Sequence, residues 1–457
     1  MKLHKMFFLV LTLAFLSCSD DNGAGAQTFS YEQYGSAFAN MPAAHDAVIY
    51  QVNIRSFSPD GNLNGVRQKL GYIKDLGANV VYLMPIYPIG QVNQAGAAGS
   101  PYAVKDYKAV NTDFGTLEDL RALVEEAHTM DMAVVLDFVA NHTSYDNAWI
   151  TEHPDWYVHD AQGNFTPPPG TNWNDVAQLD FTNADMRAAM IDNMAYWVYN
   201  ANIDGFRCDA ADFVPQNFWA EANTAVRGIK KNQHLIMLAE GTRVNHFTAG
   251  FDYTFGFGFF GALEGVFRDN NPATSLQDAN AAEYANNYHD NWRIVRYITN
   301  HDVNNTDGSA VEIFGNQGSM AAFAVASYMK SVPMIYNAQE IGYAPRIDFL
   351  NDQPINWANP DNNMLAEYKN LIAFRKTSKA VKEGDYTGYS SNAVSAFTME
   401  KDGERVFVIA NLTNANTNYI LPAPLSTINW TNALTGSPAG ISSNISLAPY
   451  QYLILKN

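Results

Sequence analysis

The chain has 457 residues, of which 47% are apolar and 16% charged, and its formal net charge is −18. A chain of this length suits two or three domains, or one large α/β barrel with additions, and its apolar fraction supports a sizeable core. The negative charge repels phosphate backbones and anionic lipid headgroups, which argues against nucleic acid as a partner and against a membrane contact held by charge. These properties favour a neutral substrate.

The first 17 residues predict an export signal. Lys2 and Lys5 precede the apolar run Met6–Leu16, which is too short to span a bilayer but is typical of a secretory signal peptide. The run ends at Phe15-Leu16-Ser17-Cys18, which resembles the processing site of bacterial lipoproteins.

That resemblance implies that Cys18 carries a lipid anchor and that residues 18–30 form a flexible tether. We expect an exported protein held by its lipid to the bacterial outer membrane, on the periplasmic or the cell-surface side. A plain cleaved signal peptide is the alternative. Cys208 is the only other cysteine, so no internal disulfide can form in the lipid-bearing protein.

Short β-branched or aromatic runs alternate with amphipathic stretches through most of the chain. The runs predict buried parallel strands at Val48–Ile54, Asn79–Met84, Ala133–Val139, Gly205–Cys208, Leu235–Ala239, Ile294–Thr299 and Pro333–Tyr336, with a weaker one at Phe251–Phe255. The amphipathic stretches predict helices at Leu63–Leu76, Leu117–Met130, Asp185–Asn200, Pro215–Lys230, Gln317–Lys330 and Asn363–Lys376. Eight strands in this alternation predict an α/β fold, a (β/α)8 TIM barrel, over residues 31–383.

Two segments depart from the alternation. Residues 143–179, after the third strand, are too long for a simple barrel connection, and we interpret them as a short inserted domain. Residues 384–457 consist of short alternating segments separated by Asn, Gly and Pro. That pattern predicts a C-terminal antiparallel β-sandwich.

Three carboxylates follow predicted strands at the strand ends where TIM-barrel active sites lie, namely Asp209, Glu240 and Asp302. Arg207 projects from the same strand face as Asp209, and we expect its cation to hold Asp209 ionised. Glu240 ends an apolar run, a setting that favours a protonated acid. An acid, a nucleophile and a third group that positions the sugar suffice for glycoside cleavage.

Four segments resemble, in order and spacing, the motifs of the α-amylase family of glycoside hydrolases, family 13. They read Asp137-Phe138-Val139-Ala140-Asn141-His142, Gly205-Phe206-Arg207-Cys208-Asp209, Glu240 after its apolar strand, and Asn300-His301-Asp302. The resemblance implies that Asp209 is the nucleophile, Glu240 the acid/base and Asp302 the transition-state stabiliser of a mechanism that retains anomeric configuration. The carboxyl groups of a retaining pair are expected about 5 to 5.5 Å apart.

The resemblance also implies residues that bind the substrate. Arg207 would lie beside the nucleophile, and His142 and His301 would bind hydroxyls of the sugar that is cleaved. Tyr102 matches the tyrosine on which that sugar stacks. No cofactor is required for chemistry of this kind.

The family pattern is incomplete at two places. Many members hold a structural Ca²⁺ through an asparagine that corresponds to Asn141, but Gln178 stands where the family has a ligating aspartate. Because calcium prefers carboxylate ligands, the sequence leaves its presence doubtful. Asp212-Phe213 stands where many α-amylases carry Lys-His, which leaves room for an oligosaccharide-processing relative.

The leading hypothesis is a retaining hydrolase that cleaves α-1,4 bonds of starch-like glucans or maltooligosaccharides, with other glycan-uptake proteins of the cell envelope as further partners. The alternatives with the same fold are an α-glucosidase, a neopullulanase-like hydrolase and a transglycosylase. A non-catalytic glycan-binding protein is a third class, against which the complete set of carboxylates counts. Four aromatic residues of the insertion serve either as sugar platforms or as its small core: Trp149, Trp156, Tyr157 and Trp173.

Overall fold

Eight parallel strands close into a barrel in the computed structural model, which describes residues 27–230, 233–285 and 292–457. The strands are β1 (Ile49–Val52), β2 (Val80–Leu83), β3 (Ala133–Phe138), β4 (Gly205–Cys208), β5 (Ile236–Ala239), β6 (Tyr253–Phe255), β7 (Arg293–Arg296) and β8 (Val332–Tyr336). Each strand pairs with the next along the chain, and β8 closes the ring on β1. The predicted TIM barrel is therefore confirmed, and all eight strands lie at the predicted places.

Helices surround this barrel, and the strands are buried because the helices cover them. The α-helices span Ile54–Phe57, Leu63–Arg67, Leu70–Leu76, Leu117–Thr129, Trp149–Glu152, Ala184–Ala201, Gln216–Arg227, Asn245–Thr248, Phe257–Arg268, Thr274–Glu283, His301–Thr306, Ala310–Phe314, Asn316–Tyr328, Asn362–Thr377, Lys379–Glu383 and Ala423–Ser426. Short 3-10 helices span Ala44–Asp46, Pro154–Trp156, Ala211–Phe213 and Gln339–Ile341.

The longer helices differ from the sequence prediction at two places. The helix predicted over Leu63–Leu76 is two helices, because Lys69 between them leaves the helical conformation. The helices Phe257–Arg268 and Thr274–Glu283 after β6 were missed. Three glycines interrupt the first of them, and glycine lowers helix propensity, so its pattern does not stand out in the sequence.

The insertion after β3 is built on a small antiparallel hairpin. The strand His142–Ser144 pairs with Val176–Gln178, so that His142 lies opposite Gln178. The hairpin carries residues of the first motif straight from the end of β3 to the mouth of the barrel. It thereby fixes His142 beside the cavity described below.

The C-terminal region forms two antiparallel sheets of unequal size. The larger contains, in spatial order, Asp385–Gly388, Val394–Lys401, Glu404–Asn411, Tyr452–Lys456 and Thr431–Asn432, and the smaller pairs Thr417–Ile420 with Asn444–Leu447. Side chains alternate across the larger sheet: Val408 belongs to the barrel's core, whereas Phe407 packs towards the smaller sheet. The antiparallel C-terminal region of the prediction is confirmed.

In the part of the chain that the structure describes, no helix combines the length and apolar character needed to cross a bilayer. The predicted signal peptide and the predicted lipid-bearing Cys18 lie outside the described residues.

Candidate active site

A cavity of about 480 Å³ opens at the C-terminal ends of the barrel strands. This volume lies within the range of small-molecule binding sites. Six of the seven catalytic and substrate-binding residues that the sequence suggested line the cavity, namely Tyr102, His142, Asp209, Glu240, His301 and Asp302. The seventh, Arg207, is completely buried beneath it. The barrel thus brings together residues from five separate connections.

Arg207 binds three carboxylates at once. Its Nη1 donates to Asp137 Oδ1 at 2.7 Å and to Asp209 Oδ1 at 2.9 Å. Its Nη2 forms an ion pair with Glu240 Oε1. Because Nη1 and Nη2 are neighbouring atoms of one planar group, the carboxylates of Asp209 and Glu240 lie side by side.

Gly205 allows this arrangement by bringing β4 and β5 close together. Its φ is +148°, and a Cβ there would lie 1.9 Å from the carbonyl oxygen of Ile236 on β5. Only glycine fits such an approach without displacing the neighbouring strand. The register that follows places Arg207 opposite Leu238 and Cys208 opposite Ala239, so that Asp209 and Glu240 come next on adjacent strands.

The carboxylate of Glu240 is in a polar setting, in contrast to the sequence expectation. The strand before it is apolar and buried, but its side chain reaches Arg207 and accepts a hydrogen bond from the Ala210 backbone N–H at 2.8 Å. The expected apolar environment is therefore wrong, because residues from β4 and not from Glu240's own strand surround the carboxylate.

The surroundings of Asp209 also differ from the expectation that the cation of Arg207 alone holds its carboxylate ionised. Burial raises the pKa of the Asp209 carboxyl well above its ordinary value; Arg207 opposes this shift, and the neighbouring carboxylates of Glu240 and Asp137 reinforce it. One guanidinium shared among three carboxylates does not offset their mutual repulsion and their removal from water.

A chain of hydrogen bonds connects His301, which follows β7, to Arg207. Gln51 Nε2 lies 2.8 Å from His301 Nδ1, and His301 Nε2 lies 2.6 Å from the Tyr102 hydroxyl. Tyr102 in turn donates to Asp137 Oδ2 at 3.0 Å, and its ring stacks on His301 with centroids 5.3 Å apart. If the Gln51 amide donates to Nδ1, then Nε2 carries the hydrogen and donates it to the Tyr102 oxygen, which leaves the Tyr102 hydrogen for Asp137.

Both cavity histidines are neutral. Burial lowers the pKa of His142 to about 4, and burial together with the Arg207 cation lowers the pKa of His301 to about 3. Neutral imidazoles exchange hydrogen bonds with hydroxyl groups and add no charge to the cavity. They suit an uncharged, hydroxyl-rich ligand.

The position of Asp302 depends on the cap of a short helix. The Asn300 side chain accepts a hydrogen bond from Val303 N at 2.8 Å and begins the helix His301–Thr306 directly after β7. Asp302 in the first turn lines the cavity with its side chain 52% exposed. It is therefore accessible to a bound ligand.

The aromatic residues of the insertion divide between the two roles that the sequence left open. Trp149 and Trp156 pack edge to face at 4.9 Å and belong to the core. Trp173 lines the cavity, 5.5 Å from the His142 ring and 5.7 Å from Phe213, ring centroid to ring centroid. Phe213, which stands where many α-amylases carry histidine, is 46% exposed and adds an apolar surface to the rim of the cavity.

The residues at the family's calcium position do not fit a calcium ion. Gln178 Nε2 donates to Asn141 Oδ1 at 3.0 Å and to Leu179 O at 3.1 Å. An amide donor thus occupies the oxygens that a hard cation would need. Among the described residues, no cluster of three His, Cys, Asp or Glu side chains could hold a metal.

Sequence reasoning missed several contributors to the site. Phe349 and Leu350, in the connection after β8, line it although they belong to no motif. Asp137 was quoted in the first motif without a role, and the structure shows it accepting from Tyr82, Tyr102 and Arg207. Its position inside a buried strand was the available signal, because buried carboxylates need partners.

Two adjacent carboxylates on one buried arginine, with a third carboxylate, Asp302, lining the same cavity of a TIM barrel, form a site suited to glycoside cleavage. The sequence matches the family described as Alpha amylase, catalytic domain, over residues 19–421. The chain therefore belongs to the α-amylase family of glycoside hydrolases.

Individual proteins are similar to this chain in sequence or in fold. Alpha-amylase 2 of Dictyoglomus thermophilum is 24% identical over an alignment covering 84% of this chain and 72% of that protein. An alpha-amylase from Lactobacillus plantarum superposes with a TM-score of 0.82 at 28% identity, covering 91% of this chain and 99% of that one. A noncanonic maltogenic alpha-amylase from Thermotoga neapolitana gives 0.81 at 24%, covering 90% and 99%.

Proposed function

We propose that the protein is a retaining hydrolase of α-1,4-glucosidic bonds in starch-like glucans or maltooligosaccharides. The observation that carries the proposal is the pair formed by Asp209 and Glu240 on the single guanidinium of Arg207. A nucleophile and an acid side by side are what double displacement at one carbon requires.

The reaction proceeds in two steps. Asp209 attacks the anomeric carbon while Glu240 gives its proton to the leaving oxygen, which departs as the new chain end. Glu240 then takes a proton from water, and the resulting hydroxide displaces Asp209 from the sugar. Asp302 contacts hydroxyls of the distorted ring, and the protein's own side chains supply all of this chemistry.

The character of the cavity supports an α-glucan substrate. Neutral histidines, the Tyr102 hydroxyl and the Trp173 ring offer hydrogen bonds and a stacking surface but no cation for an acidic group. The buried Arg207 already pairs with three carboxylates. The relatives and solved structures named above are alpha-amylases, which agrees with this choice.

The test is a time course of products from soluble starch and pullulan, with Asp209→Asn as the blank. We expect maltooligosaccharides or shorter sugars from starch, and loss of about 10⁴-fold or more of the rate in the variant. Panose from pullulan would instead indicate a neopullulanase-like enzyme. Starch cleavage that survives in Asp209→Asn would refute the assignment of the nucleophile.

We further propose that the protein is exported and anchored to the outer membrane by lipid on Cys18. The support is the sequence Leu16-Ser17-Cys18 after an apolar run. Expression of the full chain in a bacterium followed by membrane fractionation tests this. Cys18→Ala should abolish lipid labelling, whereas Ser19→Ala, a matched neighbouring change, should leave it intact. Equal labelling of the two variants would contradict the proposal.

A further inference from the structure

Two connections of the barrel meet over one side of the active-site cavity. Residues 94–99 follow β2 and residues 349–352 follow β8; together we name them the bridge. The Ala98 N–H donates to Leu350 O at 3.0 Å, and the Ala97 N–H donates to Asn351 Oδ1 at 3.3 Å. Gly96 packs closely against the other segment of the bridge: a Cβ at this position would lie 2.6 Å from Leu350 O.

Arg55, which follows β1, ties the two halves of the bridge together. Its guanidinium donates to Gly99 O at 3.0 Å, to Ala98 O at 2.9 Å and to Phe349 O at 2.6 Å. Its Nε also pairs with Asp352 at 3.2 Å. The Arg55 side chain is only 9% exposed, so these hydrogen bonds form in a region with little water and hold both connections in place.

The topology of the barrel shows which side of the cavity the bridge closes. Glu240 ends β5, and in a ring of eight strands β1 lies opposite β5. The bridge is held at β1 and joins the connections of its two neighbours, β2 and β8. Since Glu240 protonates the leaving oxygen, the leaving chain lies on the β5 side and the retained sugar lies towards the bridge.

The bridge stands directly behind the residues assigned to the retained sugar. The Phe349 ring lies 5.9 Å from the Tyr102 ring and 5.5 Å from the His301 ring, measured between centroids. Ala95 and Leu350 line the cavity together with Tyr102. A glucan that continued past the retained sugar in this direction would collide with hydrogen-bonded backbone.

From this geometry we propose that the enzyme attacks α-glucans at their non-reducing ends and retains one or two glucosyl units on the bridge side. The inference rests on the proposed function and specifies its mode of action. In an α-1,4-glucan the retained side of the cleaved bond is the non-reducing side, so a wall there admits only chains that end inside the cavity.

The test compares free maltoheptaose with maltoheptaose whose terminal O4 and O6 are joined by an ethylidene group. We expect cleavage of the free sugar and a rate lower by about a hundredfold or more for the blocked one, because the added group meets the wall. Equal rates would overturn the inference and leave the proposed function standing. Cleavage of neither sugar would refute both.

Maltoheptaose labelled at its reducing end gives a second readout. Removal of one or two units from the other end yields labelled hexa- or pentasaccharide as the first products. Labelled products of every length from the earliest times would show internal attack and would overturn the inference.

Variants of the bridge test whether the bridge is what excludes the blocked sugar. Arg55→Met should raise the rate on blocked relative to free maltoheptaose, whereas Arg346→Met should not. Arg346 also lies in the β8 connection, but it binds Glu312 and carbonyls after β7. If Arg55→Met does not fold, a variant with Gly-Gly in place of residues 94–98 serves instead. An unchanged ratio in a folded bridge variant would overturn the role of the bridge.

Discussion

Arg207 determines the charge balance of the active site at the scale of single residues. It is completely buried and faces the carboxylates of Asp137, Asp209 and Glu240. Three carboxylates around one cation favour the retention of a proton within the cluster. A site that must hold one carboxylate ionised and another protonated benefits from such an imbalance.

This balance predicts a pH dependence of activity. Asp209 must be ionised to attack, and its pKa is raised by burial and by the neighbouring carboxylates. Activity therefore requires a higher pH than an ordinary aspartate would, and the acid limb of kcat/KM should lie above about pH 4, the usual range of that side chain. A pH profile on a maltooligosaccharide checks this, and an acid limb at or below that value would contradict it.

Glu340 is another buried carboxyl, in the connection after β8. Its Oε1 accepts hydrogen bonds from the hydroxyls of Tyr50 at 2.9 Å and Tyr72 at 2.7 Å. Burial raises the pKa of Glu340 to about 7. The folded protein thus keeps this proton at pH values where the unfolded chain has released it.

The raised pKa predicts a loss of stability with rising pH. Below about pH 4.5 both states are protonated, and between there and about pH 7 the free energy of unfolding falls by about 3 kcal/mol. Glu340→Gln cannot ionise and keeps an oxygen that accepts from both tyrosines. The free energy of unfolding of the variant, relative to the wild type, should therefore increase over this range. Urea unfolding at pH 5 and pH 8 measures the difference, and an equal offset at both values would contradict the role of Glu340.

At the scale of elements, a side-chain amide of the insertion's hairpin holds the junction with the barrel. Gln178 lies opposite His142 in the register and directs its amide at Asn141 and at its neighbour's carbonyl. The junction between insertion and barrel is therefore held by neutral hydrogen bonds. We expect its stability to be independent of calcium.

Thermal unfolding with and without EDTA tests this expectation, and the wild-type midpoint should not change. Gln178→Asp places a carboxylate against two oxygens, which should cost about 1 to 3 kcal/mol until added calcium restores the midpoint. Gln178→Asn, a neutral control, should not respond to calcium. A wild-type midpoint that drops in EDTA would refute the expectation that this junction is stable without calcium.

The elements also show how far the sequence could predict the structure. The barrel strands were predictable because each is a short apolar run that ends in polar residues, and the motifs placed Asp209 and Asp302 at those ends. The bridge was not predictable, since Arg55 and Phe349 are far apart in sequence and meet only once the barrel closes. The surroundings of Glu240 were misjudged for the same reason, because its polar partners come from β4.

At the scale of the whole molecule, the larger C-terminal sheet joins two cores. Phe397, Val408 and Ile454 pack into the core of the barrel, and Phe407 and Leu455 on the other face pack with the smaller sheet. The sheet therefore has no face free of contacts with another part of the fold. We expect barrel and C-terminal region to unfold together.

Val408→Asp tests that coupling, because Val408 is fully buried. A buried charge without a partner should lower the free energy of unfolding by about 3 kcal/mol or more. Loss of activity and loss of circular dichroism should shift to lower temperature together. Ile420→Asp is the control, since Ile420 is 78% exposed and should change stability by less than about 0.5 kcal/mol. Separate transitions for activity and for secondary structure would contradict the coupling.

The bridge also determines the order in which substrate and products enter and leave the cavity during the catalytic cycle. Because the proposed wall closes the β1 side, substrate and products share the remaining opening of the cavity. The leaving chain must clear that opening before water can reach the glycosyl enzyme, and the released sugar departs last. A second sugar that arrives before water would accept the glycosyl group instead, so the partition between hydrolysis and transfer is set by how quickly the opening empties.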